Sequence, residues 1–416
     1  MVRVLTLGTR RELFVDRLLV DRLEGMQLKL HEPVPDGVAI RIDRPWEGPA
    51  NAGLVVFRHE GRSFLYYRAM TLDPGDETGA LCVAISEDGV TWTKPALGLV
   101  ARALCEETNL VADEHGRPLS AVPWLDTRPG VPDGERIKAI ASEPLSGEAH
   151  TAFADPAGPK RLVFWASGDG FTFRKLEPQP EIISRLRNCF DGGNTMFWSE
   201  AEGRYVLYYR WYDGEWGSGY RSVARTTSED LMTWSDAVPM TYGGTPREQF
   251  YTNNTQPYVR APHLYLAPAA RFMEGRRALT DAQIAAIGLQ QSRGHFYGND
   301  CSDAVLLTSR AGATCYDRTY MEAFIRPGLD ASAWVSRTNY PLTGILPWGR
   351  DQLALYVSRA YMQESWHIER LLLRLDGLAS ASAPWAGGEL LTRPFTFAGS
   401  ALEINYRTSA AGSVRV

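Results

Sequence analysis

The sequence lacks several features that define common classes of protein. No apolar run approaches the ~20 residues that a membrane span needs, so no membrane partner is expected. A net charge of −5 without a long basic run argues against nucleic acid as a partner. The five cysteines are odd in number, widely spaced and without a Cys-x-x-Cys pair, so they are predicted to be reduced core residues. The seven histidines show no spacing typical of metal ligands.

The N-terminus also lacks the uninterrupted apolar core of a signal peptide, because charged residues interrupt it at Arg10, Arg11, Asp16 and Asp21. The chain as given is expected to be cytoplasmic, or periplasmic or secreted if a leader has been removed. Its 416 residues, 44% of them apolar and 22% charged, allow a large core. Twelve tryptophans and 18 tyrosines favour strands and sugar-facing surfaces alike.

One short pattern occurs four times, starting at Ser86, Ser167, Ser228 and Ser309. Ser leads and Thr follows five residues later in all four copies, whereas Asp is third in three copies and Gly is fourth in three. Short polar side chains and glycine predict a tight turn, with the Asp of each copy in a structural role. Each copy follows an apolar, strand-like stretch, so one supersecondary unit is repeated along the chain.

A second repeat supports the first, because residues 61–68 (GRSFLYYR) resemble residues 203–210 (GRYVLYYR). Repeated small sheets around an axis are typical of a β-propeller. Five blades are counted, beginning near residues 53, 109, 194, 252 and 343, and counts of four or six fit less well. An insertion in blade four predicts a short helix to about residue 290, which opens with the capping box Thr280-Asp-Ala-Gln283.

The predicted fold class is therefore all-β: a five-bladed β-propeller with a short C-terminal β extension. Residues 1–45 are predicted as an N-terminal extension that packs on the propeller, and residues 46–378 as the propeller itself. Residues 14–30 fit either helix or strand. Residues 379–416 contain strand-like stretches at 390–396 and 402–406. This tail is either the start of a truncated β-sandwich or a set of strands that pack on the propeller.

Five segments resemble the five-bladed propeller glycosidases related to glycoside hydrolase families 32 and 43, and in particular bacterial proteins described as glycosyl hydrolase family 32, N-terminal-like. The segments are Leu13-Phe-Val-Asp16, Phe190-Asp-Gly-Gly-Asn194, Tyr251-Thr-Asn-Asn-Thr-Gln-Pro-Tyr258, Glu322-Ala-Phe-Ile-Arg-Pro-Gly328 and Asn339-Tyr-Pro341. The resemblance implies a glycosidase-like protein and a β-sandwich that opens at residues 405–416. The blade-one aspartate of families 32 and 43 has no clear match here, and Asn51 stands near its expected position.

Glycoside hydrolysis needs two carboxyl groups that flank the bond, and a propeller would supply them where its innermost strands begin. Asp191 is the candidate nucleophile or base, with an Asx-turn as the structural alternative. Glu248 is a candidate acid, or else a solvated loop charge. Glu322 is a candidate acid or base, which Arg326 at i+4 would hold in place or tune; an internal ion pair is the alternative.

Further residues are candidate substrate contacts, each with a structural role as the alternative. Amides suit sugar hydroxyl groups, and the remaining residues are expected on the rim or at strand ends. The set comprises Asn253, Asn254, Gln256, His263, Arg271, Asp303, Arg326, Arg337, Tyr340 and Asp126.

The sequence thus favours a glycoside hydrolase that cleaves an oligosaccharide or glycoside with paired carboxylates in the axial funnel. The alternatives are a non-catalytic carbohydrate-binding propeller and a protein-interaction propeller. A carbohydrate is the expected partner in the first two cases. No cofactor is indicated, and the residue spacing gives no support for a structural calcium ion. Propellers serve many functions, so the fold alone does not decide among these.

Overall fold

A computed structural model describes residues 4–72, 79–145, 159–184, 189–214, 219–291 and 295–416. In these ranges the protein is almost entirely β-structure. It begins with four strands: β1 (Leu5–Gly8), β2 (Val20–Glu24), β3 (Gln27–Leu30) and β4 (Val34–Arg41). Residues 14–30 therefore contain strands and no helix.

The first two blades follow. Blade one contains β5 (Ala52–His59), β6 (Arg62–Ala69) and β7 (Ala80–Ser86), all antiparallel. Blade two contains β8 (Ala112–Asp113), β9 (Val122–Leu125), β10 (Ile137–Pro144), β11 (Lys160–Ser167), β12 (Thr172–Lys175) and β13 (Ile182–Ser184).

Blades three and four come next. Blade three is β14 (Thr195–Ser199), β15 (Arg204–Asp213), β16 (Tyr220–Ser228) and β17 (Val238–Pro239). Blade four has an interrupted inner strand, β18 (Gln249–Thr252) and β19 (Gln256–Tyr258), which pairs with β20 (Ala261–Met273) and then β21 (Cys301–Arg310). The predicted insertion contains helix α1 (Asp281–Ala286), shorter than expected, with the Thr280–Gln283 capping box confirmed.

Blade five closes the ring with a strand from the other end of the chain. Its own strands are β22 (Tyr340–Pro341), β23 (Leu346–Trp348), β24 (Gln352–Arg359) and β25 (His367–Arg374). Strand β4 pairs antiparallel with β25 and so becomes the outer strand of this blade. Residues 34–41 were predicted to lie outside the blades. Nothing in their sequence indicates that they pair with a strand more than 300 residues away.

The core consists of five large clusters, and each lies between two neighbouring blades. Val83 and Ile137 belong to the cluster between blades one and two, and Leu371 and Leu266 to the one between blades five and four. The others join blades two and three, three and four, and five and one. Five interfaces in a closed ring confirm the predicted five-bladed propeller.

The repeated turns have the same hydrogen bonds in three copies. In the first, Ser86 Oγ donates to Asp88, and the Asp88 carboxylate accepts from the N–H groups of Val90 and Thr91. These backbone hydrogen bonds lower the pKa of Asp88 to about 2. The turn requires a left-handed fourth residue, since φ is 71° at Gly89 and 75° at Leu231, where leucine replaces glycine.

The C-terminal strands pair with the N-terminal ones. Strands β26 (Ala379–Ser382) and β27 (Glu389–Thr392) pair antiparallel with β3 and β2, and β28 (Phe395–Phe397) pairs parallel with β1. The strand expected at residues 402–406 is absent, and residues 400–416 are exposed. Those residues pair with no strand among the described parts of the chain.

The five cysteines are all free, as expected, but they are not all core residues. Cys82, Cys189 and Cys301 are buried, Cys105 is half-buried and Cys315 is exposed. In the part of the chain that the structure describes, no helix is long and apolar enough to cross a membrane.

Candidate functional site

The innermost strands β5, β9, β14, β18–β19 and β22–β23 begin at one end of the axis, and their hairpins lie at the other end. Backbone hydrogen bonds join the innermost strands of blades one and five: Val56 N–H donates to the Thr343 carbonyl at 2.8 Å, and Thr343 N–H donates to the Leu54 carbonyl at 3.0 Å. Side chains from several blades therefore meet where these strands begin, which we call the site end.

The amides expected to contact sugar instead join the blades. Asn253 is buried, donates to the Gly193 carbonyl at 2.9 Å and accepts from Thr195. Asn254 is also buried and donates to the carbonyl groups of Pro268 and Pro341 at 3.0 and 2.7 Å. Their hydrogen-bonding groups are occupied by protein partners, so both residues position the strand starts.

Gln256 has a similar place between blades four and five. Its side-chain oxygen accepts from the N–H of Ile345 at 3.0 Å, and its nitrogen lies 3.4 Å from the Asn254 carbonyl oxygen.

Asp191 lies at the site end, directly before blade three. Gly192 and Gly193 follow it at φ of 66° and 56°, a backbone that other residues rarely adopt, and this turn presents the carboxylate outward. The side chain is 55% exposed and its Oδ2 lies 3.6 Å from Nη1 of the buried Arg210. Asp191 is therefore a solvent-accessible carboxylate beside a fixed cation.

Arg210 belongs to a larger group of arginines around one ring. Its guanidinium lies 4.7 Å from the centroid of Tyr251, and those of Arg221 and Arg337 each lie 5.5 Å from it. The Tyr340 ring is 5.3 Å from that of Tyr251. We call these five residues the arginine–tyrosine cluster.

Two members of this cluster, Arg337 and Tyr340, were expected as substrate contacts, whereas Arg210, Arg221 and Tyr251 were not expected there. A sequence signal for Arg210 existed, because it ends the second copy of the GRSFLYYR/GRYVLYYR repeat. Strand alternation alone does not show that the end of β15 faces the site.

Glu248 is held by two arginines. Arg271 Nη1 donates to Oε1 at 2.7 Å, and Arg318 Nη2 donates to Oε2 at 2.6 Å. Arg271 also donates to both oxygens of Asp303, at 2.9 and 2.7 Å. Burial opposes the charge of Arg271, but the bonds to Asp303 and Glu248 outweigh it and raise the pKa of Arg271. Each Glu248 oxygen thus accepts a hydrogen bond from a guanidinium. Neither oxygen is free to carry a proton to a leaving group.

A cavity of about 110 Å³ adjoins this ion-pair network between blades three and four. Glu248 and Phe250 line it on one side, and Ser222, Tyr220 and Tyr242 on the other.

Glu322 and Arg326 are both exposed and do not form the ion pair that their i+4 spacing suggested. Arg326 Nε instead donates to Glu32 Oε1 at 2.8 Å. No lysine, arginine or histidine among the described residues lies within 4 Å of the Glu322 carboxylate. The preceding Met321 carbonyl oxygen lies 3.4 Å from Arg271 Nη1, which places Glu322 beside the Arg271 network.

Asp126 and His263 lie at the hairpin end, away from Asp191. Asp126 is buried, forms a 2.7 Å ion pair with Lys138 and accepts from the Tyr205 hydroxyl at 2.9 Å. His263 lies 3.0 Å from Glu12 and connects blade four with the N-terminal segment. Both contacts are internal to the protein.

Asn51 lies directly before β5, where the family resemblance places the blade-one carboxylate. It is buried, and its oxygen accepts from the N–H of Met70 at 3.0 Å. Its amide nitrogen is buried without a hydrogen-bond partner among the described residues. Blade one therefore places a neutral donor there in place of an acid.

No group of three or more His, Cys, Asp or Glu side chains within the described ranges gathers as metal ligands would. Carboxylate, guanidinium and phenol groups thus lie close together at the site end. Fold and site together define a five-bladed β-propeller with an arginine-rich polar site at one end of its axis.

Several solved structures are similar to this chain. One is described as a glycoside hydrolase (TM-score 0.49, 11% identity, 82% of this chain and 92% of that chain). Another is an N-acetylgalactosamine deacetylase from F. plautii in complex with blood group B trisaccharide (TM-score 0.48, 12% identity, 83% and 95%). A third is a β-1,2-mannobiose phosphorylase from Listeria innocua in complex with β-1,2-mannobiose (TM-score 0.48, 10% identity, 85% and 98%).

No protein-family model matches the sequence, and no curated protein matches it. The chain is similar to glycoside hydrolase-like proteins, as its motifs indicated. Because propellers serve many functions, the chemistry of the site depends on this chain's own residues.

Proposed function

We propose that the protein is a glycosidase that hydrolyses an oligosaccharide or glycoside at the site end of the propeller. One observation carries the proposal: the Asp191 carboxylate is exposed where the innermost strands converge, and Arg210 lies 3.6 Å from it. An accessible carboxylate fixed beside a sugar site is what a glycosidase nucleophile or general base requires. Asp191 takes that role here.

Hydrolysis also needs a group that protonates the leaving oxygen. Glu322 is the candidate, because no cation engages its carboxylate among the described residues, whereas arginines bind both oxygens of Glu248. Glu248 instead fixes Arg271 and Arg318 beside the site, so its role is to position them.

A non-catalytic carbohydrate-binding protein is the second candidate function. Asn51 and Glu248 favour it, since one supplies an amide at the blade-one position and the other is neutralised by two arginines. In that case the site end would bind sugar without cleaving it.

The test is turnover of a panel of aryl-glycosides and natural oligosaccharides by the parent protein, Asp191→Asn and Glu322→Gln. We expect turnover by the parent and a loss of about 10³-fold or more in each variant. Asp133→Asn is the matched control, since Asp133 also lies 3.6 Å from an arginine but on the blade-two hairpin at the opposite end. That variant should keep full activity.

Two results would count against the proposal. Full activity of Asp191→Asn would show that the Asp191 carboxylate takes no part in catalysis. No turnover by the parent, with sugar binding that survives in both variants, would favour the carbohydrate-binding function.

A further inference from the structure

The arginine–tyrosine cluster gathers positive charge that the described residues balance only weakly. Its arginines come from three places: Arg210 from β15, Arg221 from β16 and Arg337 from the loop before β22. Each lies within 5.5 Å of the Tyr251 ring centroid. Three guanidinium groups around one ring repel one another, so their convergence is unfavourable without a counter-charge.

The described carboxylates near these arginines are exposed to solvent and lie slightly beyond hydrogen-bonding distance. Asp191 lies 3.6 Å from Arg210 and is 55% exposed, and Glu274 lies 3.8 Å from Arg221 and is 63% exposed. Within the described residues no carboxylate lies within 4 Å of Arg337, whose nearest polar partner is the Tyr361 hydroxyl at 3.4 Å. Solvated acids at these distances screen a buried guanidinium only weakly.

Aromatic faces hold Arg337 in position without neutralising it. Its guanidinium lies 5.2 Å from the Tyr297 ring centroid and 5.8 Å from that of Tyr361, in addition to Tyr251. The residue also adopts φ of 59°, a left-handed conformation that is unfavourable for arginine. Strain of this kind is common at ligand sites, where the surrounding structure maintains it.

Tyr340 supplies an independent indication of a ligand. The residue is only 9% exposed, and its hydroxyl is buried without a hydrogen-bond partner among the described residues. Burial raises the pKa of Tyr340 well above its ordinary value, and the three arginines lie close enough to oppose that rise. A neutral phenol that can donate is therefore present beside three cations, and no acceptor among the described residues bonds it.

We propose that the arginine–tyrosine cluster is a binding site for the anionic group of an acidic saccharide: the carboxylate of a uronic acid residue or a sulfate or phosphate ester. Guanidinium groups bind such oxyanions through paired N–H donors, and the Tyr340 hydroxyl adds one more donor. This saccharide would be the substrate class of the proposed glycosidase. Its binding does not depend on the proposed function; only its cleavage does. Arg210 contacts both Asp191 and Tyr251, so the anion would lie next to the reacting carboxylate.

The test is direct binding to the full-length protein by calorimetry, with glucuronate, glucose 6-sulfate, inorganic sulfate and neutral glucose as probes. We expect glucuronate or glucose 6-sulfate to bind at least 10-fold more tightly than glucose, with affinity that falls as salt rises. Arg337→Gln should weaken that binding at least 10-fold, and Arg337→Lys less. Tyr340→Phe removes only the hydroxyl, keeps the packed ring and should weaken binding several-fold.

Arg128→Gln is the matched control. Arg128 is also half-buried and lies over aromatic rings, 5.4 Å from Trp198 and 5.6 Å from Tyr205, but at the hairpin end. Its loss should leave anion binding unchanged. If Arg337→Gln does not fold, Tyr340→Phe and the comparison of charged with neutral probes still decide the outcome.

Equal affinity for glucose and the charged sugars, or binding of inorganic sulfate with no charged sugar bound, would overturn the inference. The same measurements separate it from the proposed function. Tight binding of glucuronate without turnover of any glycoside supports the anion site and contradicts the glycosidase. Turnover of neutral glycosides that depends on Asp191, without preference for charged probes, supports the glycosidase and contradicts the anion site.

Discussion

Replacing Arg271 by methionine tests whether the ion-pair network beside the site contributes to stability. Arg271 donates three hydrogen bonds to carboxylates, two to Asp303 at 2.9 and 2.7 Å and one to Glu248 at 2.7 Å. Side-chain exposure in this network is only 14–16%. Removal of one partner of a buried ion pair costs about 3–5 kcal/mol. Glu248 keeps Arg318, so we expect a value near the lower limit, about 3 kcal/mol.

This loss should appear in the melting temperature. With an unfolding entropy of about 2.1 cal/mol/K per residue, 416 residues give about 0.9 kcal/mol/K, so Tm should fall by about 3–5 °C. Scanning calorimetry or circular dichroism at neutral pH measures it. Asp303→Asn added to Arg271→Met removes the unpaired charge, so the double variant should melt above the single one.

Arg326→Met is the matched control, because Arg326 also forms an ion pair, at 2.8 Å to Glu32, but both side chains are at least 50% exposed. A pair in that environment contributes at most about 1 kcal/mol, so Tm should change by about 1 °C or less. An Arg271→Met protein that melts within 1 °C of the parent would refute the stabilising role of the network.

Two further predictions concern the N-terminal segment. Burial alone would raise the pKa of Glu12, but the His263 hydrogen bond and the Arg310 charge lower it below its ordinary value. Glu12 therefore stabilises the fold above about pH 4.5. The Tm difference between the parent and Glu12→Gln should be full at pH 7 and should shrink below about pH 4.5. A difference that stays constant with pH would contradict this. Ile40 in β4 is buried, so Ile40→Ala should lower stability by about 3 kcal/mol. Val38 on the same strand is 38% exposed, so Val38→Ala should change stability by less than about 0.5 kcal/mol. Thermal melts of both variants test whether β4 closes the ring.

The local elements of this propeller are visible in the sequence because short-range chemistry determines them. The turn at Ser86–Asp88 is made by side chains that bond backbone two to three residues away, so its sequence predicts its geometry. The same holds for the capping box at Thr280, whose partner Gln283 is three residues on. Repetition of such units was enough to predict a propeller.

The roles of individual polar residues depended on partners distant in the sequence. Asn254 belongs to an amide-rich loop that suits sugar binding, but the carbonyl group of Pro341, 87 residues away, takes its donor. Glu322 and Arg326 have helical ion-pair spacing, but no helix forms there, and Arg326 pairs with Glu32, 294 residues away.

By itself, the sequence determined the all-β class, the turns, the strand pairs and the blade count, because each depends on residues near one another along the chain. Tertiary structure alone decided the closure of blade five by β4 and the convergence of Arg210, Arg221 and Arg337 on Tyr251. Both join segments from different blades or opposite ends of the chain, and no local pattern records such pairings. Closing the ring brings the strand starts together, and with them the charges that form the candidate site.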